Sequence, residues 1–221
     1  MAASCLTCIL YIIKVKGVID YINTSQIHVP LTVNKTIEGE SQMISKTMED
    51  ALNEQVNKEM FSAYLYMSMS IHAGDMGLKG FSNWFMVQYH EEMSHGMKMY
   101  DYLNSRGGRV ILKAIDAPAS TFESVMDMFE KTLAHEEFIT ASINDLMDIA
   151  IEEKDHATRI FLQWFVTEQV EEEENDHEII DQLKLIGSSP QGLMMLDKEL
   201  AQRTATVRLD FSLNGPGDGD D

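Results

Sequence analysis

The sequence predicts an all-α fold, a four-helix bundle with one long crossover connection and a short fifth helix. Three observations lead to this prediction. The chain has 221 residues but contains only 4 prolines. Most of it falls into long segments in which apolar residues recur at helical spacing. Of the connections between the four longest segments, two are short and one is long, which limits how the helices can be arranged.

The first two predicted helices are joined by a short turn that contains glycine. The first helix covers about 46–73, and Gly74 and Gly77 end it. The second covers about 79–106 and ends at Gly107-Gly108, a common C-terminal signal because glycine adopts left-handed backbone angles readily. One stripe of the first helix contains Leu52, Gln55, Glu59, Ser62, Tyr66 and Ser70.

The third and fourth helices are predicted by their caps as well as by their periodicity. The third covers about 121–154, with Ser120 as its N-cap. The fourth covers about 156–186, follows the cap candidate Asp155 and stops at Gly187. All four helices are therefore long enough to form one bundle.

The connection lengths predict the topology. A helix over 79–106 spans about 42 Å, and the connection over 107–120 can reach about 46 Å when extended. It is just long enough to run the length of the bundle, so the second and third helices are expected to be parallel and the other sequential pairs antiparallel. A short fifth helix starts at Ser189-Pro190, a common N-cap and N1 pair, and ends near Arg203.

The charge and composition exclude several classes of protein. A formal net charge of −19 argues against a nucleic-acid partner, whose phosphates require a basic surface, and favours metal cations. Cys5 and Cys8 both lie near the N-terminus, so no disulfide framework supports the main body. No stretch is a convincing transmembrane helix of ~20 apolar residues. We therefore expect a cytoplasmic protein that has no membrane partner.

The chain is expected to have three parts. Residues 1–42 form an extension that is flexible or spurious, and the functional chain is expected to begin near Met43. Residues 43–203 form the helical domain, and the Gly- and Asp-rich tail 204–221 is expected to be disordered. A secretory leader is the alternative for the extension, although a basic start and a small-residue cleavage pattern are missing. Mass spectrometry of the native N-terminus tests this expectation, which a start at Met1 would contradict.

The segment Glu91-Glu92-Met93-Ser94-His95 carries the first sign of chemistry. Glu92 and His95 lie three residues apart and project from one face of a helix. The rest of that face is apolar, and a buried charged carboxylate is unfavourable unless it is paired or bound to a metal. The pair is therefore a metal-ligand hypothesis, with a solvated pair on an outer face as the alternative.

Four glutamates strengthen this hypothesis, because each lies near the middle of a different predicted helix. Helix midpoints meet at one level in an antiparallel bundle, and no Lys or Arg lies on these stripes to pair with the acids. Two divalent cations would balance four carboxylates, and a site without thiolate suits Fe²⁺ or Mn²⁺. Two adjacent Fe²⁺ ions can reduce O₂ by two electrons. The predicted ligands are Glu59, Glu92, His95, Glu136 and Glu172.

Further residues lie next to these ligands. Glu91, Glu168 and Glu171 could form an outer, weaker metal site, or they could simply be solvated acids. Tyr66 could donate an electron to bound oxygen, as could Trp164, with core packing as the alternative. Gln169 could hydrogen-bond metal-bound oxygen species, or it could be an exposed amide.

Over about residues 43–203 the sequence resembles the prokaryotic non-haem ferritins, whose fold is the ferritin-like bundle with one crossover. The resemblance implies a hollow cage of identical subunits, usually a 24-mer. In such a cage a ferroxidase centre oxidises Fe²⁺ with O₂ or H₂O₂, and ferric mineral is stored inside. It rests on Asn53-Glu54-Gln55, Glu59, Glu91 to His95, His135-Glu136, Phe161 to Trp164, Glu168 to Glu173 and Leu196 to Leu200.

The resemblance also implies which residues hold iron. Glu59, Glu92 and His95 would hold the first iron, and Glu92, Glu136 and Glu172 the second. Glu91, Glu168 and Glu171 resemble the third iron site of bacterial ferritins. The early acids that line a channel in animal ferritins correspond to Arg159 and Leu162, which leaves the iron access route open.

Three alternative functions remain at this point. A haem-containing bacterioferritin would use Met93, but the second Glu-x-x-His of that family is missing because Asn175 stands in its place. Haem is therefore not expected. A rubrerythrin-like peroxidase lacks support for the same reason and because rubredoxin-type cysteine pairs are missing. A DNA-protecting miniferritin conflicts with the acidic net charge.

Overall fold

The computed structural model describes residues 44–207 and confirms the all-α architecture. Within that range there are five helices and no strand. The helices are α1 (Lys46–Asp75), α2 (Lys79–Ser105), α3 (Val125–Glu152), α4 (His156–Ile186) and α5 (Pro190–Leu200). The predicted extension 1–42 and most of the predicted tail 204–221 lie outside the described residues.

Side-chain caps fix where the helices begin. Ser45 caps α1 by accepting a hydrogen bond from the backbone nitrogen of Met48 at 3.0 Å. Asp155 and Ser189 cap α4 and α5 in the same way, as predicted. Gly77, which was expected to end the first helix, has φ 80°, a backbone angle that favours glycine.

The prediction for the start of the third helix is wrong by four residues. Ser124, not Ser120, is the N-cap of α3, because Ser124 is extended and accepts from the backbone nitrogen of Asp127 at 3.1 Å. The reason lies in Phe122, whose ring is buried and whose carbonyl oxygen is 3.1 Å from Nε2 of His72. These contacts with α1 compete with an earlier helical turn. The fifth helix likewise ends at Leu200, before the predicted Arg203.

Contacts between helices establish the predicted topology. Along α1 and α3, Gln55 hydrogen-bonds Ser142, whereas Met69 pairs with Thr132, so these helices run antiparallel. The short turn between α1 and α2 makes that pair antiparallel as well, and Ser70 bonds the carbonyl oxygen of Ser82 across it at 2.7 Å. Consequently α2 and α3 are parallel.

The crossover over 106–124 runs along α1, and polar side chains of α1 attach it there. Asn53 accepts from the backbone nitrogen of Ile111 at 2.7 Å and donates to the carbonyl oxygen of Arg109 at 3.0 Å. Further along the helix, Ser68 donates to the carbonyl oxygen of Ala119 at 2.7 Å. The connection therefore follows the length of the bundle, as predicted from the length of this segment.

The core consists of two apolar clusters that lie toward opposite ends of the bundle. One cluster is rich in aromatic rings, and the other is mainly aliphatic. Full burial of one Leu, Met or Phe side chain contributes roughly 1.5–3 kcal/mol to folding. The first cluster includes Tyr66, Phe81, Phe85 and Phe129, and the second includes Met48, Leu52, Met99 and Leu103.

Among the helices described, none has the length and apolar character needed to cross a membrane.

The short helix α5 packs closely on the start of α2. Asp197 accepts hydrogen bonds from the backbone nitrogens of Gly80 at 2.7 Å and of Phe81 at 3.1 Å, which caps α2 from outside. A Cβ atom at Gly80 would lie 1.5 Å from the carbonyl oxygen of Asp197. Glycine at this position therefore allows α5 to pack against the start of α2.

Candidate metal centre

Four glutamates and one histidine from four different helices are buried between the two apolar clusters. None of the five is more than 4% exposed. The structure therefore brings together the residues whose positions near helix midpoints predicted a common level. They are Glu59 on α1, Glu92 and His95 on α2, Glu136 on α3 and Glu172 on α4.

Glu59, Glu92 and His95 form the tighter half of this cluster. Their ligand atoms all lie within 4.8 Å of one another. Among the described residues, Glu59 Oε2, Glu92 Oε2 and His95 Nε2 are buried and have no hydrogen-bond partner. Orphaned buried polar atoms are rare and require an explanation such as a bound ion. Two carboxylates and one imidazole are donors that suit Fe²⁺.

Glu136 is held differently, by hydrogen bonds from protein side chains. Tyr66 Oη donates to its Oε1 atom, and Gln169 Nε2 donates to its Oε2 atom at 3.0 Å. Gln169 is buried, so the alternative of an exposed amide is wrong. Glu136 belongs to neither of the compact ligand groups in the described range.

A second compact ligand group shares His95 and combines it with two acids of α4. Ligand atoms of His95, Glu168 and Glu172 lie within 4.8 Å of one another. Glu172 also accepts a hydrogen bond from Gln88 Nε2 at 2.8 Å. The second-iron set that the resemblance implied, with Glu92 and Glu136 beside Glu172, is therefore not one compact group in this structure.

The three acids predicted for an outer site are separated by their contacts. Glu91 is buried and pairs with Arg203, whose Nη2 atom lies 2.7 Å from its Oε2 atom. Glu168 approaches His95 instead, with 3.8 Å between Oε1 and Nε2. Glu171 is exposed. The structure therefore brings only part of the predicted third site to the centre.

Burial dominates the electrostatics of the cluster. It raises the pKa of Glu92 well above its usual range and raises the pKa of Glu136 to about 7, with the charge of Glu172 adding to the second effect. Burial also raises the pKa of Glu172. For His95, burial lowers the pKa, but the charge of Glu92 and the proximity of Glu168 and Glu59 outweigh it, so the pKa is raised. The metal-free cluster therefore retains protons that a bound cation would displace.

A chain of hydrogen bonds orients Glu59 from the side of the bundle. Gln55 Nε2 donates to Glu59 Oε1 at 2.8 Å, and Ser142 Oγ donates to Gln55 Oε1. The half-buried Lys58 donates in turn to Ser142. Because Gln55 occupies Oε1 of Glu59, the Oε2 atom, which has no partner in the described range, is the one available to bind a ligand.

The aromatic residues near the centre contact its ligands. Tyr66 is fully buried and joins the aromatic cluster, while its hydroxyl donates to Glu136. Trp164 is half-buried, and its ring centroid lies 5.3 Å from that of His95. Both rings therefore combine core packing with direct contact to the centre.

Sequence reasoning missed Gln88, Asp176 and Arg203. Gln88 and Asp176 each lie four residues from a predicted ligand, on the same helix face, and this spacing could have identified them. Both carboxylate oxygens of Asp176 are buried without a partner in the described range, and burial raises its pKa to about 9. Arg203 lies far from Glu91 in sequence, so no local pattern indicated that contact.

Comparison with known proteins identifies the family. The model of the Ferritin-like domain family matches residues 49–186. The bacterial non-heme ferritin of Staphylococcus saprophyticus is 43% identical over 162 residues, which cover 73% of this chain and 97% of that protein. The bacterial non-heme ferritin of Staphylococcus aureus is 40% identical, with 73% and 98% covered. These relatives do not favour the haem-containing alternative.

Solved structures lead to the same family. An engineered closed form of the Archaeoglobus fulgidus ferritin is 49% identical, has a TM-score of 0.73 and covers 74% of this chain and 99% of its own. The open-pore ferritin of the same archaeon is 49% identical, with a TM-score of 0.72, and covers 73% of this chain and 99% of its own. The chain therefore belongs to the ferritin family of iron-storage proteins.

Proposed function

We propose that this ferritin chain is a ferroxidase that oxidises Fe²⁺ at an intrasubunit di-iron centre and passes Fe³⁺ to a mineral stored inside a cage. The observation that carries the proposal is the group formed by Glu59, Glu92 and His95. Ligand atoms of these three residues lie within 4.8 Å of one another, and each of the three side chains has a buried polar atom without a hydrogen-bond partner in the described range. A chain that used these helices only as a scaffold would gain nothing by burying such atoms.

The substrate would be bound in two unequal halves. Glu59, Glu92 and His95 supply two negative charges and one neutral nitrogen to the first Fe²⁺, which balances its charge. The second Fe²⁺ would lie toward Glu172, with Glu136 completing the set after its hydrogen bonds adjust. Gln88 Nε2 already donates a hydrogen bond to one oxygen of Glu172 at 2.8 Å. A second Fe²⁺ would therefore compete with this hydrogen bond for the carboxylate. We therefore expect the second Fe²⁺ to bind more weakly.

Each Fe²⁺ gives up one electron, so a pair of ions reduces O₂ by two electrons and, with two protons, yields H₂O₂. H₂O₂ is the alternative oxidant and would yield water. The protein residues hold the two ions next to each other and keep bulk water out, while Tyr66 lies where it can donate a hydrogen bond or an electron. Comparing the rate of Fe²⁺ loss with O₂ and with H₂O₂ distinguishes the two oxidants.

The outer face of α1 and α2 supports assembly with identical chains. An apolar pocket of about 330 Å³ lies there, and Tyr64 on its wall is 49% exposed. Exposed apolar surface of this kind marks contact sites between proteins. Met60, Tyr64, Met67, Tyr89, Met93 and Ile115 line the pocket. We infer a cage of identical subunits, a 24-mer by family resemblance, that works in the cytoplasm; its native mass tests the assembly.

The test of the ferroxidase proposal is Glu92→Ala. Fe²⁺ is mixed with protein in the presence of O₂, and the absorbance of Fe³⁺ is followed in a stopped-flow instrument. We expect the fast phase to disappear, because the first half of the centre loses one of its two carboxylates. Glu137→Ala, which changes an exposed glutamate on α3, is the matched control and should keep the fast phase. Unchanged kinetics in Glu92→Ala would contradict the proposed centre.

A further inference from the structure

We propose that Lys58 is a positioning residue for Glu59 and thereby raises the affinity of the half of the centre that binds the first Fe²⁺. This inference rests on the proposed function and deepens it. Lys58 does not itself bind the metal. It acts on Glu59 through Ser142 and Gln55, along a path of three hydrogen bonds.

This path leads from the side of the bundle into its core. Lys58 is half-buried, and its Nζ atom lies 5.2 Å from the centroid of the Phe138 ring. A pocket of about 290 Å³ opens beside these two side chains. Ser142 on α3 and Gln55 on α1 are both buried, as is Glu59. The path therefore connects a positive charge at the edge of the bundle with a metal ligand in its core.

The chemistry of Lys58 gives the path one direction. An ammonium group can only donate, so Ser142 Oγ accepts from Lys58 and uses its single proton to donate to Gln55 Oε1. The amide nitrogen of Gln55 then faces Glu59 and donates to Oε1 at 2.8 Å. Without the ammonium group, Ser142 could accept from Gln55 Nε2, and the amide could turn its oxygen toward the carboxylate. Lys58 therefore favours one of two amide orientations.

The favoured orientation fixes Glu59 for a cation before the cation arrives. The amide of Gln55 occupies Oε1, which leaves Oε2 without a partner in the described range. Hydrogen bonds in a chain polarise one another in a medium of low dielectric constant, and a charged donor strengthens the first of them. A ligand that is already oriented loses less freedom when it binds a metal. The path should therefore raise the affinity for the first ion.

The charge of Lys58 also repels a metal ion directly, and this effect has the opposite sign. Solvent in the adjacent pocket screens the repulsion. Two substitutions separate the effects. Lys58→Met removes both the charge and the first donor, whereas Ser142→Ala interrupts the path and keeps the charge. Both variants should bind the first ion more weakly if positioning dominates, but Lys58→Met should bind it more tightly if repulsion dominates.

Another contact between α1 and α3 supplies the matched control. Ser62 Oγ lies 2.7 Å from His135 Nε2, within one helical turn of Glu59. Ser62→Ala removes a buried hydroxyl between the same two helices but leaves the path to Glu59 intact. Lys58→Arg tests rescue, because arginine also only donates. Lys131→Met tests the loss of a positive charge at an exposed position of α3.

The measurement is calorimetric titration of the metal-free protein with Zn²⁺, which is redox-inert, and with Fe²⁺ in the absence of O₂. Loss of a partner of a metal ligand lowers metal affinity by about 10- to 100-fold. Because the path acts through intermediates, we expect Lys58→Met and Ser142→Ala each to weaken the first ion by about tenfold, the lower end of this range. The double variant should bind no more weakly than Ser142→Ala, since both changes interrupt one path. Lys58→Arg, Ser62→Ala and Lys131→Met should match the parent.

The role of Lys58 and the proposed centre can fail separately. Binding in Lys58→Met that equals or exceeds that of the parent would overturn the role of Lys58, as would additive losses in the double variant. An equal loss in Ser62→Ala would show that packing between the helices sets the affinity and would overturn it as well. If Lys58→Met does not assemble, Ser142→Ala carries the same expectation. A parent protein that binds no first ion tightly would instead contradict the proposed di-iron centre.

Discussion

Asp176 is the residue whose replacement should change the stability of the metal-free protein most clearly. Asp176 is 1% exposed, and neither of its carboxylate oxygens has a hydrogen-bond partner in the described part of the chain. Burial, helped by the charges of Glu136 and Glu172, raises its pKa to about 9. In the unfolded chain the pKa of aspartate is about 3.9. The folded state therefore holds a proton that the unfolded state releases.

The sign of the pH dependence follows from this difference. Between the two pKa values the native state binds more protons than the unfolded state, so the free energy of unfolding falls as pH rises. The slope is about 1.4 kcal/mol per pH unit, which amounts to about 4 kcal/mol between pH 5 and pH 8. Since the stability of a domain is only about 5–15 kcal/mol, the effect is large.

Asp176→Asn removes this proton linkage and keeps the shape of the side chain. We expect the variant to gain stability over the parent as pH rises, with a difference that grows by about 4 kcal/mol from pH 5 to pH 8. Guanidinium unfolding of metal-free protein, at one protein concentration and in the presence of a chelator, measures this difference. Asp145→Asn, at an exposed position of α3, is the control and should follow the parent. Parallel pH profiles for parent and Asp176→Asn would refute the reasoning.

Two further substitutions test the supports of the centre. Tyr66→Phe removes the hydroxyl that donates to Glu136, so the free energy of unfolding should fall by about 1–3 kcal/mol because a buried acceptor loses its donor; a guanidinium midpoint equal to that of the parent would contradict this role. Gly80→Ala places a Cβ atom 1.5 Å from the carbonyl oxygen of Asp197, so α5 should no longer pack against α2. Faster hydrogen exchange confined to α5 and the start of α2 would show this loss, and exchange that matches the parent would contradict it.

The general position of the centre could be predicted from sequence because helix geometry is regular. Glu59 and Glu92 lie near the middle of helices whose ends glycines mark, so their level in the bundle follows from counting residues. Arg203 shows where such counting fails. Its contact with Glu91 depends on how α5 folds back across α2, which is a tertiary arrangement with no local signal.

The predictions of where α3 starts and of how the ligands are oriented were limited for a similar reason. Both Ser120 and Ser124 are suitable caps by residue type, and the burial of Phe122 against α1 decides between them. Likewise, the stripe of α4 predicts that Glu172 points inward, but not that Gln88 takes one of its oxygens. Competition among partners in the folded core decides such details.

The arrangement as a whole explains why so many acids can be retained in one core. The apolar clusters on either side of the centre stabilise the fold independently of protonation. The buried acids, in contrast, lower the free energy of unfolding as pH rises. The acids nearest the orphaned ligand atoms lose this penalty when a cation binds. Asp176 lies outside both compact ligand groups of the described range, so a cation at the centre reduces its penalty only through charge at a distance. The stabilising effect of Asp176→Asn should therefore persist, although reduced, when Zn²⁺ is bound, and complete loss of the effect would instead indicate that Asp176 itself contacts the metal.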